Sequence, residues 1–100
     1  MRLTEHQQQI IKQVLLKHFG KGSELRLFGS RADDSARGGD IDLYIEPDLS
    51  NADDIVEAKL NAMVELQLAL GEQKIDLVIN RKTGTFLPIY KIAKETGVRL

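Results

Sequence analysis

The chain lacks cysteine and tryptophan, and only 5% of its 100 residues are aromatic. The absence of cysteine excludes disulfide bonds, thiolate chemistry and cysteine-ligated zinc sites. No apolar run approaches the roughly 18 residues that a membrane-spanning helix needs. Residues 1–7 also lack the apolar stretch that is typical of a secretory signal. We therefore expect a cytoplasmic protein, and the few aromatic residues offer no evident platform for stacking nucleic-acid bases.

The charged residues are divided unevenly along the chain, although the net charge is only −1. Residues 1–30 carry a net charge of +3, residues 31–76 carry −8 and residues 77–100 carry +4. A fold that brings some of the central carboxylates together would form a site for cations, with basic segments beside it for a polyanion. The length and the hydrophobic content of 42% indicate one globular domain over residues 1–100.

Hydrophobic periodicity predicts three helices and three strands in alternation. The predicted helices cover residues 5–18, 52–70 and 86–96, and the predicted strands cover residues 25–28, 40–45 and 74–79. Segment 30–39 is polar, contains paired glycines and is predicted to be a loop or a single helical turn. This order predicts an α/β or α+β fold in which helices cover one face of a small sheet and leave the other face open.

Capping residues and apolar stripes support the predicted helices. Thr4 with Gln7 has the spacing of a capping box at the first helix, Ser50 or Asn51 is the candidate cap of the second, and Thr85 that of the third. The apolar stripe expected to bury the second helix consists of Val56, Leu60, Met63, Leu66 and Leu70.

Three aspartates are predicted to share the open face of the sheet. In the second strand, strict alternation sends three aliphatic residues inward and Asp40, Asp42 and Tyr44 outward; in the third strand, Asp76 points outward. Two carboxylates about 7 Å apart on one strand face repel each other unless a cation lies between them. Magnesium prefers oxygen ligands from carboxylates and phosphates, and two such ions can serve a phosphoryl transfer. An exposed hydrophilic pair is the alternative interpretation of the Asp-x-Asp alone.

A candidate phosphate-binding segment, Gly29-Ser30-Arg31, directly follows the first strand. A glycine lets the backbone approach a phosphate closely, a serine hydroxyl and free N–H groups donate to it, and an arginine adds charge. An ordinary strand-ending turn with an arginine in solvent is the other interpretation.

The candidate residues belong to three segments that follow one another along the chain: Leu27-Phe28-Gly29-Ser30-Arg31, Asp40-Ile41-Asp42-Leu43-Tyr44-Ile45 and Lys74-Ile75-Asp76-Leu77-Val78-Ile79. In this order they resemble the minimal nucleotidyltransferases of the DNA polymerase β superfamily. The resemblance implies the nucleotidyltransferase fold, a small mixed sheet with helices on one side. It also implies that Gly29 and Ser30, with Arg31 beside them, hold a nucleoside triphosphate. By the same resemblance, Asp40 and Asp42 coordinate Mg²⁺, and Asp76 is the third carboxylate.

The activity that this resemblance implies is Mg²⁺-dependent transfer of AMP from ATP to a hydroxyl group. Stand-alone members resemble antitoxins that are encoded beside a helical HEPN-type ribonuclease toxin, and some transfer AMP to a tyrosine of that toxin. Two alternatives stay open: an antitoxin that neutralises such a partner by binding alone, and a transferase that acts on RNA 3′ ends.

A chain of this length leaves the acceptor side of the site without walls, so we expect a second protein to complete it. The expected docking surface is the open sheet face with Phe28, Tyr44 and Val78, beside the basic residues Lys82 and Lys91. Simple packing under the loop is the other interpretation of this apolar patch. The favoured partner is the HEPN-type protein, and a homodimer is also possible.

Overall fold

The computed structural model of the protein describes residues 3–29, 40–71, 73–82 and 86–100. The elements are α1 (Glu5–Phe19), β1 (Glu24–Phe28), β2 (Ile41–Glu46), α2 (Ala52–Leu70), β3 (Ile75–Ile79), α3 (Pro88–Thr96) and β4 (Val98–Arg99). All six predicted helices and strands are present, and β4 was not predicted. The loop or turn predicted at 30–39 lies outside the described residues.

The first two helices begin where their capping residues predict. At α1, Thr4 Oγ1 accepts from the backbone N–H of Gln7 at 3.0 Å, and Gln7 Oε1 accepts from the backbone N–H of Thr4 at 2.9 Å. This reciprocal pair is the predicted capping box. At α2, Asn51 Oδ1 accepts from the backbone N–H groups of Asp53 and Asp54 at 2.9 and 3.2 Å. Asn51 rather than Ser50 is therefore the cap of α2.

The strands form a four-stranded mixed sheet in the order β3-β2-β1-β4. Strand β1 pairs antiparallel with β2 and β4, whereas β2 and β3 are parallel and are connected through α2. The inward residues Ile41, Leu43 and Ile45 are fully buried, as their alternation predicts. Helices α1 and α2 cover this face and share its apolar core. The protein is therefore a compact α+β domain.

The predicted apolar stripe of α2 is confirmed for Leu66, which is buried, and for Met63 and Leu70, which pack against the core. It is wrong for its other two members. The residues of α2 that are buried against the core are Ile55, Ala58, Ala62 and Leu66, whereas Val56 and Leu60 are exposed. The physical reason is that α2 carries apolar residues on two opposite sides, so periodicity alone does not select the side that meets the sheet. The small alanines let α2 approach closely.

The prediction that helices cover only one face of the sheet is also wrong. Helix α3 lies on the second face, where Ala93 packs with Phe28 and Tyr44 in a separate apolar cluster. Those two aromatic side chains project to this face by the alternation of their strands, and leaving them in water would be unfavourable. Phe28 and Tyr44 are consequently buried and do not form the expected docking surface. Among the described residues, no helix covers the part of this face that bears the aspartates.

Helix α3 starts later than predicted, with Pro88 at its first turn and Leu87 at the N-cap, where no side-chain hydrogen bond caps it. Proline is tolerated there because the first N–H groups of a helix have no intrahelical partner. The predicted cap Thr85 lies outside the described residues. In the described part of the chain, no helix combines the length and apolarity needed to cross a bilayer.

Candidate active site

Asp42 and Asp76 are direct neighbours on the two parallel strands β2 and β3. Their Cα atoms are register partners, and the outward direction of both follows from the burial of the flanking aliphatic residues. Adjacent strands lie about 4.8 Å apart, so two aspartates in register bring their carboxylates together. Asp42 is half-buried and Asp76 is exposed. The structure therefore joins two of the three predicted carboxylates in one pair.

The electrostatics of this pair disfavour the fully ionised state. Burial raises the pKa of Asp42, and the negative charges of Asp76 and Asp40 raise it further. A hydrogen bond with the Asp76 carboxyl acts in the same direction, whereas the positive charge of Lys74 lowers the pKa. A raised carboxyl pKa next to like charges indicates a site that gains from a bound proton or a cation.

Asp40 lies just before β2 and belongs to the margin of this site. Its Oδ2 is 3.5 Å from Lys74 Nζ, and its side chain is 43% exposed. Within the described ranges, no group of three or more His, Cys, Asp or Glu side chains is arranged to hold a metal ion. The structure thus brings together Asp42 and Asp76 and sets Asp40 beside them, paired with Lys74. Lys74 was not predicted to belong to the site.

Gly29, at the end of β1, lies against the carboxylate of Asp42. Phe28 is the register partner of Asp42, so the chain turns away from the sheet directly beside this side chain. The φ angle of Gly29 is 72°, in the left-handed region that favours glycine. A Cβ at this position would overlap the Asp42 carboxylate and stand 3.1 Å from its Cγ. Only glycine fits at this position, because the φ angle is positive and because the Asp42 carboxylate leaves no room for a Cβ. The predicted phosphate-binding residues Ser30 and Arg31 lie outside the described residues.

The donor atoms of this site suit Mg²⁺. Asp42 and Asp76 present only carboxylate oxygens, and Mg²⁺ is held by one or two carboxylates together with water and phosphate oxygens. A cation between these two groups would also remove the repulsion that raises the pKa of Asp42. Asp40 would add a third carboxylate after exchanging its contact with the exposed Lys74.

A second polar cluster, centred on Glu46, lies on the same sheet face but farther along β2. Glu46 Oε2 accepts from Tyr44 Oη at 2.6 Å and lies 2.9 Å from Lys94 Nζ, while its Oε1 lies 3.1 Å from Lys82 Nζ. Asn80 Nδ2 donates to Tyr44 Oη at 2.9 Å. Sequence reasoning missed this cluster, although the polar Glu46 at the end of an otherwise alternating strand is a signal for it.

The buried carboxylate of Glu46 is stabilised in its ionised form by its neighbours. Burial alone would raise the pKa of Glu46, but hydrogen bonds from Tyr44, Lys94 and Lys82 outweigh it and lower that pKa to about 2. Burial, followed by the hydrogen bond to Glu46, raises the pKa of Tyr44, so its hydroxyl stays a proton donor. The cluster joins β2 and β3 to α3 and therefore holds the helix against the sheet. We assign it a structural role.

No protein-family model matches this chain, and neither does any curated protein. The geometry of the aspartate site and the motifs in the sequence are therefore the features that point to a function.

Proposed function

We propose that this protein is a Mg²⁺-dependent nucleotidyltransferase with the nucleotidyltransferase fold, which transfers AMP from ATP to a hydroxyl group. The observation that carries the proposal is the register of β2 and β3, which sets Asp42 beside Asp76 directly under the glycine turn that follows β1. A carboxylate pair that lies next to a close-approach glycine is what a metal-bound triphosphate requires.

Each residue of the motif receives a specific role in this proposal. Asp42 and Asp76, with Asp40, hold up to two Mg²⁺ ions, which when bound neutralise phosphate charge and favour displacement at phosphorus. Gly29 keeps the backbone close to the carboxylates, while Ser30 and Arg31 contribute donors to the triphosphate.

The proposed reaction is a single in-line displacement. The acceptor oxygen forms a bond to the α-phosphorus of ATP, and the bond from that phosphorus to the bridging oxygen breaks, so pyrophosphate leaves with the electron pair. Asp76 accepts the proton of the acceptor hydroxyl, since it is the more exposed member of the pair.

The proposed acceptor is a tyrosine hydroxyl on a helical HEPN-type partner, which gives the protein an antitoxin role. The support is that the aspartate edge is accessible in the described part of the chain, with Asp76 exposed and the Asp40 side chain 43% exposed. This exposure suits an acceptor that is itself a protein. Phe28 and Tyr44 are buried under α3 and cannot form the docking surface that the sequence predicts. The partner therefore docks at the aspartate edge.

The test is transfer of label from ATP that is labelled in its α-phosphate. Wild-type protein is incubated with Mg²⁺ and either the product of the neighbouring gene or cellular RNA, and the labelled species is identified on a gel. Asp42→Asn should abolish labelling and pyrophosphate release, because it removes a charged ligand without changing the size of the side chain. Asp53→Asn, on the opposite side of the sheet, is the matched control and should label normally.

The outcomes separate the alternatives. Label in the partner protein supports the proposal, and label in RNA replaces the proposed acceptor while leaving the chemistry in place. Binding of the partner without any labelled product or pyrophosphate identifies a non-catalytic antitoxin. Unchanged labelling by Asp42→Asn would refute the assignment of the site.

A further inference from the structure

A cavity of about 320 Å³ lies at the carboxyl ends of the parallel strands β2 and β3. Its volume is within the range of small-molecule sites, and the carboxyl ends of parallel strands are a common place for such sites. The cavity has walls from the ends of both strands, from the residue range just before α3 and from α3 itself. The residues that line it are Glu46, Asn80, Lys82, Phe86 and Lys94.

This cavity is separate from the aspartate site. Glu46 lies four residues after Asp42 on β2, which corresponds to about 13 Å along the strand. Tyr44 lies between them on the same sheet face and is fully buried under α3. A ligand in the cavity therefore does not occupy the position of a metal ion at Asp42, and the inference does not depend on the proposed function.

Two ammonium groups converge on the cavity from different parts of the chain. Lys82 Nζ lies 3.1 Å from Glu46 Oε1, and Lys94 Nζ lies 2.9 Å from Glu46 Oε2. Glu46 is only 5% exposed, whereas the lysine side chains are 62% and 43% exposed, so the ammonium groups face solvent. Each ammonium group has three N–H donors and keeps some of them after binding Glu46. Glu24, 4.0 Å from Lys94 Nζ, is itself paired with Arg26. The lining residues therefore carry a net charge of +1 and present donors to an anion.

The backbone of Lys82 has an unusual conformation beside the cavity. Its φ angle is 64°, and among the described residues it is the one non-glycine residue with a positive φ. Its N–H donates to Asn80 Oδ1 at 2.9 Å, and Asn80 Nδ2 in turn donates to Tyr44 Oη at 2.9 Å. Asn80 is buried, so this turn is held from inside the protein. Residues with such backbone strain occur preferentially at functional sites, and this one brings a cation to the cavity.

Phe86 gives the cavity an aromatic wall. The residue is 60% exposed, and its ring centroid lies 5.8 Å from that of Tyr90 at an interplanar angle of 81°. Tyr90 Oη donates to the carbonyl of Ile79 at 3.2 Å, which anchors Tyr90 to β3. The Phe86 ring is therefore held by a neighbour that is itself fixed, while most of its surface stays uncovered. A flat ring of a ligand can stack on such a side chain.

We propose that the cavity binds an organic phosphate that carries a flat ring and has the size of a nucleoside monophosphate. Lys82 and Lys94 donate to the phosphate, and the ring stacks on Phe86. A phosphate suits two ammonium groups better than a carboxylate does, because it carries up to two negative charges and has more acceptor oxygens. Both oxygens of Glu46 are engaged by its neighbours, and this carboxylate keeps together two lysines that would otherwise repel each other.

The test is a titration of the protein with AMP in the presence of EDTA, followed by heteronuclear NMR. EDTA removes divalent metal ions, so the negatively charged aspartates repel the phosphate of AMP and do not bind it. The backbone amide signals of Asn80, Lys82 and Lys94 should shift in a saturable manner. Adenosine and inorganic phosphate each lack one of the two contacts, and each should bind at least about tenfold more weakly than AMP.

Two variants remove one contact each. Lys82→Gln removes a donor to the phosphate and Phe86→Ala removes the stacking surface, and each should weaken AMP binding about tenfold. Lys91→Gln and Ile92→Ala are the matched controls, because they change exposed residues of α3 that do not line the cavity. Both controls should bind AMP like the wild type. All four positions are largely in solvent, so the circular dichroism of every variant should stay unchanged.

Each outcome supports or overturns the proposal. Saturable AMP binding that both cavity variants weaken supports it. The site would be overturned if AMP did not saturate the protein at the highest concentration reached, or if the controls lost as much affinity as the cavity variants. Inorganic phosphate that binds as tightly as AMP would overturn the role of the ring, and adenosine that does so would overturn the role of the lysines. Asp42→Asn should bind AMP like the wild type, so a failure of the proposed transferase activity leaves this test unaffected.

Discussion

Glu46→Gln removes the charge at the centre of the second polar cluster and should destabilise the protein markedly. Glu46 is only 5% exposed and receives hydrogen bonds from Tyr44, Lys94 and Lys82. Its pKa falls from an ordinary 4.5 to about 2 on folding, which corresponds to about 3 kcal/mol of stabilisation. Both lysine side chains are substantially exposed, and solvent screening reduces the expected loss to about 2 kcal/mol at pH 7.

The most stringent test is how the stability difference between wild type and Glu46→Gln changes with pH. Because the pKa of Glu46 is lower in the folded chain, its contribution is fully present above pH 4.5 and is lost as the pH falls toward 2. Urea unfolding of wild type and Glu46→Gln should therefore differ by about 2 kcal/mol at pH 7 and converge near pH 2. Glu95→Gln, which removes an exposed i,i+4 pair with Lys91, should cost under about 0.5 kcal/mol. The role assigned to Glu46 would be refuted if Glu46→Gln cost no more stability than Glu95→Gln. It would also be refuted if the loss in Glu46→Gln were the same at every pH.

Three further changes test the site and the fold. Gly29→Ala should lower the free energy of unfolding by about 1–2 kcal/mol more than Gly71→Ala in urea titrations, because both have positive φ but only Gly29 lies against Asp42. Burial and like charges raise the pKa of Asp42, so the contribution of Asp42 to the free energy of unfolding should fall as the pH rises from 3.8 through the raised pKa. Asp42→Asn should remove this fall and gain about 0.2–1 kcal/mol at pH 7, measured by the same titrations. Thr4→Ala should cost about 1 kcal/mol in thermal unfolding through loss of the capping box.

The parts of the fold that local chemistry decides could be predicted from the sequence. Helix α2 has the predicted bounds because Asn51 caps its first turn and Gly71, with φ 82°, follows its last residue. The outward direction of Asp42 and Asp76 likewise follows from alternation within single strands. Each of these features depends on residues a few positions apart, so no knowledge of the tertiary structure was needed.

The parts that tertiary packing decides could not be predicted. Tyr44 alternates with core residues and was expected on an open face of the sheet, but it is buried there because α3 packs over it. Its hydroxyl then needs buried partners, and Glu46 and Asn80 provide them across two strands. No residue near β2 in the sequence indicates that Lys94, in a helix nearly fifty residues later, pairs with the Glu46 carboxylate. The position of α3 and the Glu46 cluster beneath it therefore depend on each other, and both depend on contacts between residues far apart in the sequence.

The register of β2 on β3 explains why the three aspartates are not equivalent. Ile41 is the partner of Ile75, and its N–H donates to the carbonyl of Lys74, so Lys74 comes level with Asp40 just as Asp76 comes level with Asp42. The lysine therefore neutralises Asp40 at the margin, while Asp42 is left with a like charge as its direct neighbour. A slip of one residue would turn the aliphatic side chains of β3 away from the core and Asp76 into it, so hydrophobic burial fixes the register. The energy that packs the core is thus the same energy that holds two carboxylates together against their repulsion.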